Sequence, residues 1–182
     1  MNLRFYFEKL MNSEAYRNFI KKNPGAFVCS AFFVIDKQGK GDKQHFDFYV
    51  PAKSKIFSFM VEEDFRLVEL EGVGGKDSNK RDGKLFEEIK FFDIDFKGLE
   101  RIILERMREE GIKKDIERLL FSLQSYKGKM LLIGSIFLSG LGLLNVKISV
   151  PDLQILSFER LSFFDFFKVF KRNNKNKKKG RG

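Results

Sequence analysis

The chain has 182 residues, 43% hydrophobic and 33% charged, enough to bury a sizeable core as one domain of ordinary size or two small ones. One cysteine, Cys29, excludes an intrachain disulfide, and with one histidine, His45, it leaves no ligand set for a zinc-type site. Of the formal net charge of +10, residues 166–182 carry eight Lys or Arg and no acid, so the first 165 residues hold only about +2.

The N-terminal run MNLRFYFEKLMNSEAYRNF alternates charge with Phe and has no apolar stretch of the signal-peptide kind, so a cytoplasmic chain is expected. Leu3, Tyr6, Phe7, Leu10 and Met11, then Tyr16, Phe19 and Ile20, fall at helical spacing. They predict an amphipathic helix over 3–22, broken near Asn12, with Ser13 as a cap and Pro24-Gly25 as the stop. Ala26 to Asp36 is almost wholly apolar and predicts a central strand buried on both faces. Lys37 to Lys43 reads as a hairpin loop, and His45 to Val50 alternates, with Phe46 and Phe48 opposite Asp47 and Tyr49. Further strands are expected at Ile56 to Val61 and Phe65 to Leu70.

Val73 to Lys84 is glycine-rich and charged and reads as a linker, after which Leu85 to Phe92 returns towards the sheet. Asp95 caps an expected helix from Lys97 to Glu110, with Leu99, Ile102, Ile103 and Met107 on one face and Gly111 at its end. Residues 115–125 fit both a helical stripe and an alternating strand, and the turn-like Tyr126-Lys127-Gly128 favours the strand. Strands near 130–139, 143–150 and 154–161 follow. Met130 to Leu144 is uncharged but shorter than the roughly 18–20 residues of a membrane span, so it reads as a buried hairpin, and no transmembrane segment is expected.

Little in this pattern points to catalysis. His45 and Asp47 share a strand face and could pair, but a solvated strand-end histidine is the commoner arrangement. Gly72 to Ser78 fails as a phosphate loop, because Lys76 is followed by Asp and no helix opens there. Asp93 and Asp95 could offer two oxygens to Mg²⁺, yet they also read as a strand edge followed by an N-cap. Ser30, Ser58, Ser135 and Ser157 lie in apolar strands without a partner base and read as packing residues. No catalytic residue, metal or cofactor is assigned. In the tail, Lys168, Lys171, Arg172, Lys175, Lys177, Lys178, Lys179 and Arg181 can neutralise phosphates without sequence preference, meet an anionic lipid surface, or simply keep the chain soluble with no specific partner. From about Lys171 the tail lacks apolar residues and is expected to be disordered.

Two stretches match. Phe46-Asp-Phe-Tyr-Val-Pro51 followed by Ile56-Phe-Ser-Phe59 resembles Val146-Lys-Ile-Ser-Val-Pro151 followed by Ile155-Leu-Ser-Phe158, with Ser30-Ala-Phe32 and Ser135-Ile-Phe137 upstream. The expected fold class is therefore α+β, a duplicated unit of a helix plus antiparallel β-strands with a disordered basic C-terminal tail. Its divisions are a first repeat at 1–72, a linker at 73–92, a second repeat at 93–165 and the tail at 166–182. On Leu143 to Phe158 and His45 to Phe59 the chain resembles the PepSY domain, and tandem copies also resemble the architecture of the β-lactamase inhibitor proteins. The turn glycine usual in the PepSY family is replaced here by Pro51 and Pro151. The resemblance implies a non-catalytic binding or inhibitory module presenting a sheet face. The function expected is accordingly a non-enzymatic binding or adaptor protein, offering a sheet face or edge to a protein or peptide. A tail-anchored nucleic-acid- or ribosome-associated protein is the alternative.

Overall fold

The computed structural model describes residues 3–39, 41, 43–62, 64–70, 86–90 and 93–161. The chain opens with α1 (Leu3–Met11) and α2 (Glu14–Lys22). Ser13 separates them as the residues suggest: its hydroxyl accepts the Tyr16 N–H at 3.1 Å and caps α2. There follow β1 (Phe27–Asp36), β2 (Lys43–Val50), β3 (Lys55–Val61) and β4 (Phe65–Leu70). Then come α3 (Phe96–Glu109), β5 (Ile116–Tyr126), β6 (Lys129–Leu138), β7 (Gly142–Ser149) and β8 (Ile155–Leu161). Asp95 caps α3, accepting the Gly98 N–H at 2.9 Å.

The strands form one antiparallel sheet of eight, in the order β4-β3-β2-β1-β5-β6-β7-β8. Two meanders meet at its centre, where β1 and β5 pair from Ser30↔Gln124 to Asp36↔Arg118. Arg118 reinforces this seam, its Nε and Nη2 donating to Asp36 Oδ2 at 3.1 and 2.8 Å.

The three described helices cover the same face. Phe7 of α1 packs on Phe46 and Phe48. Phe19 of α2 inserts among Phe48, Phe57 and Phe59 with ring centroids 5.3–5.8 Å apart. Phe96 of α3 meets Phe33 edge-on at 5.1 Å, and Arg106 lies over Phe158. Phe33, Phe46, Phe48, Phe59 and Phe121 are each at most 1% exposed, so phenylalanine makes the centre of the core, as its abundance suggests.

The duplicated helix-plus-strand unit is corrected by this topology. The matching stretches align β1 with β6, β2 with β7 and β3 with β8. Those strands are not equivalent: β1 lies at the centre against β5, β6 lies one strand further out, β3 is internal and β8 is an edge. A whole strand, β5, separates α3 from β6, so the second trio does not follow its helix. The turns differ too, Pro51 opening a 3-10 turn while Val150–Pro151 is cis. The shared pattern records an apolar strand, a Val-Pro turn and another strand, which are local features that recur wherever a hairpin is half-buried. Among the described residues the fold is a single antiparallel sheet under three short helices, with one core.

Of three smaller expectations, two change and one, the strand at 115–125, holds. β1 is central but alternates in burial after a bulge between Val28 and Ser30, so only one of its faces is fully covered. The ambiguous 115–125 segment is strand β5. Residues 86–90 return towards the sheet without joining it as a strand, through the Ile89 N–H to the Val28 carbonyl at 3.0 Å. Most of the proposed 73–92 linker and the entire 166–182 tail lie outside the described residues.

Candidate binding face of the sheet

Because opposed residues in a sheet share a face, the pairing registers define what the face away from the helices carries. One row crosses the sheet as Val68, Ser58, Asp47, Ser30, Gln124, Leu131 and Ser149. The next crosses all eight strands as Arg66, Met60, His45, Phe32, Ser122, Ile133, Lys147 and Ser157. A third holds Leu120, Ser135, Asn145 and Glu159. None of the described helices packs here. The face is a field of small polar groups set among Phe32, Met60 and Ile133, with Ser58 and Leu131 buried within it.

The four serines noted in the sequence all lie on this face, and each has an acceptor. Ser30 Oγ donates to Asp47 Oδ2 at 2.6 Å, Ser135 to Asn145 Oδ1 at 3.0 Å and Ser157 to Glu159 Oε1 at 3.1 Å. Ser58 Oγ sits 3.8 Å from Met60 Sδ. These cross-strand and same-strand partners were not visible in the sequence, where the serines read as plain packing residues.

His45 and Asp47 do come together. The imidazole Nε2 is 3.6 Å from Asp47 Oδ1, and the His45 ring stacks on Phe32 at 4.7 Å. Burial pulls the imidazole below its ordinary pKa, and the neighbouring Asp47 carboxylate opposes that without reversing it. Asp47 Oδ1 is buried and has no hydrogen-bond donor. The contacts run Ser30–Asp47–His45, with the carboxylate in the middle. A nucleophilic serine needs the imidazole in that middle place, so that the ring can take the hydroxyl proton. Cys29, beside this cluster, donates to the Asp47 carbonyl at 3.4 Å, and burial followed by the charge of Asp47 pushes its thiol up to about 12. It remains a thiol at neutral pH, and an inert one.

The other candidates lie apart. Asp95 is spent as the α3 cap, while Asp93 is exposed, 3.9 Å from Arg4. Among the described residues no group of three His, Cys, Asp or Glu side chains could hold a metal ion. Met130 to Leu144 is the β6–β7 hairpin, and no described helix is long and apolar enough to cross a membrane. Gly72 to Ser78 and the eight tail cations, Lys168, Lys171, Arg172, Lys175, Lys177, Lys178, Lys179 and Arg181, lie outside the described residues.

Sequence reasoning missed Glu87. Its carboxylate accepts Ser125 Oγ at 2.6 Å and the Lys127 and Gly128 N–H groups at 2.7 and 2.9 Å. It thereby caps the β5–β6 turn and ties residues 86–90 across the end of the sheet. These three bonds hold the carboxyl below its usual range, the Ser125 hydroxyl most of all. Only the 38- to 41-residue separation hid it, since nothing local marks such a contact.

No family model matches the chain, the PepSY model included, and no curated protein matches it. A solved structure of a putative lipoprotein from Clostridium difficile 630 is similar at 11% identity, with a TM-score of 0.49 over 81% of this chain and 91% of that one.

Proposed function

We propose that the protein is a non-enzymatic binding module that offers the sheet face opposite its described helices to an extended protein or peptide segment. The observation that supports this reading is the gathering of α1, α2 and α3 on one face, so that none of the described helices covers the rows through Asp47 and Ile133. Ile133, on β6 and two strands in from the β8 edge, is 39% exposed. The order Ser30–Asp47–His45 favours recognition over turnover. The likeness of Leu143 to Phe158 to the PepSY pattern favours the same reading, and a lone buried thiol suits a reducing, cytoplasmic setting.

A second reading has its own observation, the eight Lys and Arg of residues 166–182. They would hold RNA, DNA or a ribosomal surface through phosphate contacts that weaken steeply with salt. The two readings separate in one experiment. Pull-downs from native lysate are compared for the full chain, for Ser122→Arg with Ile133→Arg, and for deletion of residues 171–182. The sheet reading expects the two arginines to abolish partner capture and the deletion to spare it. Capture that survives the arginines but is lost with the tail overturns the sheet reading in favour of the tail.

A further inference from the structure

A cleft of about 590 Å³ opens between the helices and the strap of residues 86–90, away from the sheet face described above. Its floor is Phe7, Tyr16, Val28, Phe48 and Ile89, and its mouth carries Arg4, Glu8, Glu88 and Lys90. The helix supplies this arrangement simply: Arg4, Phe7, Glu8 and Met11 fall on one side of α1, while Leu3 and Leu10 are buried in the core. The opposite wall is fixed from two sides. The Ile89 N–H bonds to the Val28 carbonyl, and Glu87 anchors the strap to the β5–β6 turn.

The volume lies within the range of roughly 300–1,000 Å³ typical of small-molecule sites. The rim sets the charge of what can enter. It carries two cations and two anions, and Arg4 is already held by Glu8 at 2.9 Å, so no net field attracts an ion. The floor offers aromatic rings and branched apolar groups. The Tyr16 phenol, raised by burial and then by the charge of Glu88, stays protonated and can donate one hydrogen bond. We propose that this cleft binds a small uncharged molecule with an aromatic or apolar body.

Two fluorescent probes that differ by one sulfonate test it on the full chain: neutral N-phenyl-1-naphthylamine and the anionic 8-anilinonaphthalene-1-sulfonate. The neutral probe should bind saturably, at least about tenfold more tightly than the anion. Ala26→Trp fills the cleft from the residue just before β1 and should weaken the neutral probe about tenfold or more. Met11→Trp fills it from exposed α1 and should do the same, which keeps the test alive if Ala26→Trp does not fold. Leu141→Trp, in the distant β6–β7 turn, should leave affinity unchanged. Glu87→Ala frees the strap and should weaken the probe while circular dichroism retains the sheet. Equal affinity for the two probes, no saturable binding, or full affinity in the folded Trp variants overturns the proposal.

Discussion

Gly134→Ala probes the packing that holds the sheet's register. Gly134 lies directly across from Phe121, and the Phe121 ring covers it. A Cβ there would stand 2.5 Å from Phe121 Cδ1, closer still to Cε1, and 3.0 Å from the Leu120 carbonyl oxygen. The ring has nowhere cheap to go: Phe121 is fully buried and stacks on Phe33 at 5.6 Å, which in turn meets Phe96. Overpacking of this kind costs about 1–3 kcal/mol. Replacing a strand glycine by alanine returns about 0.5–1 kcal/mol of backbone entropy. The net loss is therefore up to about 2.5 kcal/mol and about 1 kcal/mol at mid-range, and each kcal/mol lost from a chain of this size lowers the melting midpoint by about 2–4 °C. Thermal unfolding followed by circular dichroism reads it. Phe121→Leu makes room for the methyl, so the double variant should be more stable than the two single losses add up to, by about 1 kcal/mol. A Gly134→Ala protein that melts at or above the wild type would refute the glycine–ring reasoning.

Cys29 should resist Ellman's reagent at pH 8 in the folded protein and react fully in guanidinium, because its thiol lies near 12 and is only 6% exposed; prompt native reactivity would contradict that burial. Ser13→Ala removes the α2 cap and should cost about 1 kcal/mol by denaturant titration, with Ser13→Asp restoring most of it. His45 has a folded pKa below its unfolded value, so the unfolded chain binds its proton first as the solution is acidified. Stability should be full above about pH 6.5 and fall on acidification below it, His45→Gln should flatten that part of the profile, and an unchanged profile would refute the assignment.

Much of the strand pattern was legible because alternation and turn residues act locally. His45 to Val50, Phe65 to Leu70 and the β5–β6 turn at Lys127-Gly128 fall where the residues put them. Ser13 and Asp95 were legible as caps for the same reason, each satisfying an N–H three residues on. Residues 115–125 were not decided locally, since Ile116, Leu119, Leu120 and Leu123 fit either period. Pairing with β1 on one side and β6 on the other decides them. The seam between β1 and β5 joins residues more than 80 positions apart, as Asp36 and Arg118 show, and no local pattern encodes it. That missing seam is what made two similar hairpins look like two repeats.

The polar groups of the face opposite the described helices also bear on what it can do. An exposed serine or carboxylate must shed water before a partner can cover it, and that cost offsets the gain from apolar contact. Here much of that shedding is already done within the fold. Ser30 is bonded to Asp47, Ser135 to Asn145, Ser157 to Glu159 and Gln124 to Ser122 at 3.0 Å, so these donors are matched before any partner arrives. The apolar contribution then comes from Phe32, Met60 and Ile133, which lie in one row and are spaced by strand separation rather than along a single strand. An extended segment lying across the strands would touch all three in sequence. A segment running along one strand would meet at most one of them, so the face should discriminate by the direction in which a partner crosses it.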